Sequence, residues 1–163
     1  MNKSSYPYTT AYQNIISQLA KKHITIADIA SLAQELQHQY SPVPAFATIK
    51  TMVIELLHQP EVLNRMLVGF ALDKAATQHE LQEPLQAISA HDLGVFGTDE
   101  TLALGIATWY GTIGMTNFNE LDLYKHGILH NLDHNQHYVN TFTDDLVAGV
   151  AAAVAAKIAH QQS

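Results

Sequence analysis

The sequence contains no cysteine, which excludes disulfides, thiol nucleophiles and cysteine-ligated zinc. No apolar run reaches the roughly 18 residues that would suggest a membrane-spanning helix. Met1 is followed by polar residues rather than an apolar run, so the expectation is a cytoplasmic protein without a signal peptide. Cations are scarce: Lys and Arg total 8 against 15 Asp and Glu, a net charge of −7. A general nucleic-acid binder needs a basic face, so nucleic acid is excluded as a partner. There is no P-loop, no GxGxxG and no GxSxG. No aspartate pair follows a strand in DxD form, which leaves an aspartyl-phosphate mechanism without support. No strand pattern persists and no segment repeats. What remains is one all-α domain over 1–163, with 163 residues sufficient for a sizeable core.

The stretch the rest of the chain must accommodate is Thr141–His160, TFTDDLVAGVAAAVAAKIAH. Thr143 can cap a helix that begins with Asp144 and Asp145. Eleven apolar or small residues follow, Leu146 to Ala156. A helix without a polar face over three turns is buried on all sides. Its alanines and glycine keep it thin, so neighbours can pack close to its backbone. The two carboxylates enter that core at the helix N-terminus and need a partner that neutralises or solvates them.

The remaining segments read as a jacket of helices, six to eight in all with the central one. Residues 1–10 are polar and loose. Ala11–Lys22 buries Ile15, Ile16 and Leu19; Thr25 caps a second helix with Ile26, Ile29, Ala33 and Leu36 on one face. A turn at Ser41-Pro42-Val43-Pro44 precedes a helix carrying Phe46, Ile49, Val53, Leu56 and Leu57. Pro60 suits the first turn of the next, with Leu63, Met66, Leu67 and Phe70 buried. Gln82–Ala90 is a short helix, followed by a loop at 92–97 with two glycines. Thr98 then caps a helix whose core face holds Leu102, Ile106 and Trp109. After a break at 111–114, Asn117–Leu132 is helical with an interruption near Gly127, and 134–141 is a polar loop.

The negative charge is concentrated. Between Asp92 and Asp145 there are eight acids, and Lys125 is the only cation, so this stretch carries the whole net charge of −7. A divalent cation would relieve the repulsion if these groups converge; a solvated acidic face is the alternative. Thr98-Asp99-Glu100 and Thr143-Asp144-Asp145 repeat one pattern, a hydroxyl before two acids in a first turn. Either pair alone reads as a helix cap, a role that contributes about 0.3–1 kcal/mol. Two such helix starts facing each other would supply four carboxylates to Mg²⁺, a hard cation that favours oxygen ligands and suits phosphate-ester hydrolysis. Lys125 would anchor a substrate phosphate or pair with Asp122. Thr112 and Thr143 could donate hydroxyls there. A rival metal site is His126, His130 and His134, spaced i, i+4, i+8, if their helix is unbroken.

GTDETLALGIATWYGTIG, NELDLYKHGILHNLD and TFTDDLVAGVAAAVAAKIAH, in that order, resemble the phosphatidylglycerophosphatase A family. The likeness is closest to its soluble YutG-like branch, the low-temperature-requirement C proteins, and extends to HITIADIA and VLNRMLVGFALDKAA. The resemblance implies an all-α fold around a central helix. It also implies Mg²⁺-dependent removal of phosphate from phosphatidylglycerophosphate, giving phosphatidylglycerol in phospholipid biosynthesis. Motif positions carry the metal and catalytic roles to Asp99, Glu100, Asp144 and Asp145. They carry substrate binding to Lys125 and Asp122, with Thr143 beside them. The chain departs from the pattern in lacking the transmembrane helices of membrane-bound members and in having His126 where many members have proline. A soluble phosphomonoester therefore stands beside the phospholipid as substrate. Peripheral approach to the inner face of the membrane and homo-oligomerisation are compatible with it. A non-catalytic helical module that binds a cation or a protein through the acidic face is the alternative from a different class.

Overall fold

The computed structural model describes residues 5–40, 42–94 and 96–161. Residues 1–4 of the expected loose tail, Ser41 and Val95 in two expected loops, and residues 162–163 lie outside the described residues. Described secondary structure is helical throughout. The helices are α1 (Tyr8–Lys21), α2 (Ile26–His38), α3 (Phe46–Leu57), α4 (Pro60–Thr77) and α5 (Leu85–Ala90). Then come α6 (Thr98–Ala107), a 3₁₀ turn (Thr108–Tyr110), α7 (Ile113–Tyr124), α8 (Ile128–Asp133) and α9 (Thr143–His160).

The count among the described residues is nine α-helices rather than six to eight. The expected Asn117–Leu132 helix is two helices, because Lys125 adopts a left-handed φ of 44° and Gly127 a φ of 52°. A residue with positive φ cannot continue a right-handed helix, and two of them flank His126. Two smaller departures concern helix starts. Tyr8 is already helical, so only part of 1–10 lies outside secondary structure, and α5 begins at Leu85 rather than Gln82.

α9 is the axis. Every residue from Thr143 to Ala156 is buried, together with Ile158. α2, α3, α4, α6, α7 and α8 pack on it; α1 and α5 lie outside, against α4. Small residues set the approach distances. A Cβ on Gly149 would sit 2.7 Å from the Ala103 carbonyl oxygen, so α6 and α9 meet backbone to backbone. A Cβ on Gly114 would collide with the Ala107 carbonyl, which fixes how α7 crosses the end of α6. The expected faces of α1 to α4 turn to the core, with Ile16, Ile26, Phe46 and Leu67 half-buried at its margin and the other named residues buried, and Thr25 caps α2 in a full capping box with Asp28. On α6 the deep positions are Ala103, Ile106 and Ala107, whereas Leu102 and Trp109 are half-buried at its edge.

Candidate functional site

Three chain segments converge at the N-terminus of α9. The start of α6 supplies Asp99, buried at 5% exposure, in its first turn. The end of α7 supplies Asp122 and Lys125. The first turn of α9 supplies Asp144 and Asp145, at 2% and 3% exposure. Lys125 is the centre: its Nζ donates to Asp144 Oδ2 at 2.8 Å and Asp122 Oδ1 at 2.9 Å, and lies 3.6 Å from Asp145 Oδ1. The helix break that gives Lys125 its left-handed backbone thus places it at the acids. Glu100 is solvent-exposed at the rim, next to Asp99.

A second grouping involves acids outside the two helix-start pairs. Carboxylate oxygens of Asp92, Asp133 and Asp144 all lie within 4.8 Å of one another. Such an arrangement can hold a metal ion. Asp144 therefore belongs both to this grouping and to the Lys125 pair. Asp92 and Asp133 were legible as part of the acidic stretch, but neither stands in a paired motif. They line a cavity of about 700 Å³ together with Thr77, His79, His91 and Asp144.

The electrostatics are short of positive charge. Burial pushes Asp144 up from the ordinary carboxylate range, and the Lys125 ammonium opposes this. Burial also pushes Asp145 up, and the adjacent Asp144 adds to the effect. Burial alone would lower Lys125, but the Asp144 charge and its hydrogen bond outweigh it, so the lysine stays cationic. One ammonium serves two buried carboxylates, so without a further cation the Asp144–Asp145 pair favours holding a proton. Asp99 is raised as well, first by burial. Its Oδ1 is buried and has no hydrogen-bond partner. A buried carboxylate oxygen in that state is costly unless a cation or solvent reaches it.

The N-terminus of α9 is fixed from outside. Asp73 on α4, fully buried, accepts hydrogen bonds from Phe142 N at 3.0 Å, Thr143 N at 2.8 Å and Thr143 Oγ at 2.6 Å. Lys22 Nζ lies 3.8 Å from Asp73 and donates to Val139 O and Asn140 Oδ1. Thr141 Oγ donates to Ser89 O at 2.7 Å. Neither Thr98 nor Thr143 caps its helix. Gly97, with φ of 68°, precedes α6, and Thr143 is the first residue of α9. Expected as a substrate hydroxyl, Thr143 is instead fully buried with its hydroxyl committed to Asp73. A polar signal for Asp73 does exist in the sequence. It stands three residues after Phe70, on the buried face of α4 where an apolar side chain would ordinarily sit.

The three histidines do not meet. His126 sits in the α7–α8 break, 3.3 Å from Glu35 and 3.9 Å from Glu120. His130 and His134 stack on each other with ring centroids 4.2 Å apart, and His134 Nδ1 is bonded to the His130 carbonyl. Among the described residues the grouping with metal-ligand spacing is made of carboxylates.

A thin buried helix that brings two aspartates to a rim of further carboxylates and one lysine defines an all-α protein with an acidic, lysine-centred site. The family model for phosphatidylglycerophosphatase A matches residues 21–160. Over 142 residues the chain is 42% identical to YpjQ of Bacillus subtilis, described as uncharacterized, covering 87% of this chain and 80% of that one. It is 36% identical over 146 residues to B. subtilis YutG, likewise described as uncharacterized, covering 89% and 88%. The crystal structure of the low temperature requirement C protein from Listeria monocytogenes superposes with a TM-score of 0.90 at 38% identity, covering 95% of this chain and 98% of that one. The chain belongs to the phosphatidylglycerophosphatase A family. No helix among the described residues is long and apolar enough to cross a membrane.

Proposed function

We propose that this protein is an Mg²⁺-dependent phosphatase that converts phosphatidylglycerophosphate to phosphatidylglycerol, in phospholipid biosynthesis, meeting its substrate from the bilayer surface as a peripheral protein. Family membership supports the reaction class. The observation that carries the metal reading is the unpartnered, buried Asp99 Oδ1 near Asp144 and Asp145, two carboxylates that share a single lysine. The donor set is all oxygen and strongly anionic, which fits a hard divalent cation.

Asp99, Asp144 and Asp145 would hold the metal, with Glu100 at the rim and Asp92 and Asp133 from the adjoining cavity. Bound there, the metal supplies polarisation of the phosphoryl group and a more acidic water. Lys125 has two N–H groups on Asp122 and Asp144, and the third is only loosely directed at Asp145. That third N–H can turn to a phosphate oxygen while Asp122 keeps the ammonium in place. Hydrolysis forms a bond from water oxygen to phosphorus and breaks the ester P–O bond. A carboxylate of the Asp144–Asp145 pair accepts the water proton and returns it to the departing alkoxide.

The test is phosphate release from a panel of phosphomonoesters, phosphatidylglycerophosphate included, with Mg²⁺ and with EDTA. Release from the lipid, abolished by EDTA, is the expected result. Silence across the whole panel would sink this reading and leave a non-catalytic cation-binding module.

A further inference from the structure

The large acidic cavity has a neighbour of opposite character. A smaller cavity of about 300 Å³ is lined by Lys21 and Lys22 at the end of α1, by Phe70, Lys74 and Thr77 on α4, and by Tyr138. Thr77 and Tyr138 line both cavities, so the two share a wall. Three of the chain's 8 basic residues meet here, and no acid lines the space. Asp73 behind the wall accepts from Phe142 N and from Thr143 N and Oγ, and of these lysines it is Lys22 that lies 3.8 Å away, donating to Val139 O and Asn140 Oδ1. Lys21 and Lys74 are exposed, and among the described residues neither has an acid within ion-pair distance. The rest of the lining is mostly apolar, from the Phe70 and Tyr138 rings and the lysine stems, with Gln18, Thr77 and Gln78 as its polar part.

A protein of net charge −7 that concentrates its cations around an apolar hollow, one wall away from its acidic site, complements a particular ligand. We propose that this basic cavity receives the second anionic group of the substrate, of phosphodiester type, together with the start of its apolar chain, while the phosphomonoester lies at the acids. The lipid substrate proposed above is then gripped at both of its charges. The cavity is small, so it holds the anion and the first methylenes, and the chains continue into the bilayer. This inference rests on the phosphatase reading above for its phosphomonoester end, but the basic end can be tested without turnover.

The experiment compares wild type, the double variant Lys21→Ala/Lys74→Ala and the control Lys50→Ala, whose lysine lies over the Phe46 ring away from both cavities. The first arm measures kcat/KM on phosphatidylglycerophosphate in mixed micelles and on glycerol phosphate, which has no second anion or chain. The double variant should lose about thirtyfold on the lipid, the scale of two lysines near an anionic lipid surface, and change little on glycerol phosphate. Lys50→Ala should match wild type on both. An equal loss in the double variant and the control, an equal loss on both substrates, or no loss on the lipid overturns the proposal. The second arm is flotation, in EDTA, with vesicles of phosphatidylglycerol or of phosphatidylcholine. It decides the matter if wild type releases no phosphate at all, in which case the phosphatase reading has failed separately. Selective binding to phosphatidylglycerol that only the double variant loses then supports the basic cavity; identical binding by all three proteins overturns it.

Discussion

The buried Asp73 carboxylate accepts both the backbone N–H and the hydroxyl of Thr143, at 2.8 and 2.6 Å. A side chain of α4 thus does what a cap residue at the start of α9 would do, and it does so one residue before the acids of the site. Asp73→Ala removes three hydrogen bonds, strands two buried N–H groups and leaves Lys22 without its counterion. The expected cost is about 3 kcal/mol, more than an exposed cap would lose, because the groups left behind are out of reach of water. Urea denaturation measures it. A loss under about 1 kcal/mol would mean that water replaces the carboxylate and that α9 does not depend on it.

Burial pushes the Asp73 carboxyl up to about 6 from 3.8, against the opposing pull of Lys22 and the Thr143 and Phe142 hydrogen bonds. The folded state therefore binds this proton more tightly than the unfolded chain does. Unfolding free energy then falls as pH rises from about 4 to about 6 and is flat, for this group, above that. Asp144 and Asp145 are raised too and act in the same direction. In EDTA, wild type should be more stable at pH 5 than at pH 7. Asp73→Asn, which cannot titrate there, should show a smaller difference between the two pH values. Parallel pH profiles for the two proteins would rule out Asp73 as a contributor.

Much of this site was visible in the sequence, and the gaps have physical causes. The burial of α9 follows from eleven residues without a polar side chain, and the faces of α1 to α4 follow from their periodicity. Asp99, Asp122, Lys125, Asp144 and Asp145 stand in short motifs, and the structure brings all five together. Asp92 and Asp133 reach Asp144 only through tertiary folding, from a loop and from the end of α8. Spacing along the chain carries no trace of that. Asp73 and Lys22 meet across α1 and α4 and are hidden for the same reason. Threonine before two acids suits a capping role, yet neither Thr98 nor Thr143 takes it. At α6 a left-handed Gly97 occupies the cap position, and at α9 a distant aspartate performs it.

Gly149 offers a test of the close contact between α6 and α9. Helix propensity alone favours alanine over glycine by about 1 kcal/mol. Steric conflict points the other way, since the new Cβ would lie 2.7 Å from the Ala103 carbonyl oxygen, a backbone atom that cannot rotate aside. The conflict should win, because relieving it means moving α6 as a body, at a net cost of about 2 kcal/mol. Asp99 rides on α6, so Gly149→Ala should also weaken any Mg²⁺-dependent rise in Tm. A variant as stable as wild type would show that the two helices can separate freely.

Asp145 distinguishes a helix cap from a metal ligand. As a cap, Asp145→Asn should cost about 1 kcal/mol or less and leave activity intact. As a ligand, the same change removes charge while keeping shape, so activity should collapse and Mg²⁺ should bind less tightly. The buried position adds a second signature. Asp145 is pushed up by burial and by Asp144, with only Lys125 to offset them, so neutralising it should leave metal-free stability unchanged or higher. Thermal unfolding of wild type and Asp145→Asn, each with Mg²⁺ and with EDTA, reads both effects. Wild type should gain Tm with Mg²⁺ because the ion binds the folded state preferentially, and the variant should gain less. Equal Mg²⁺ responses, together with undiminished phosphate release by the variant, would reduce the Asp144–Asp145 pair to a helix start and remove the centre of the proposed mechanism.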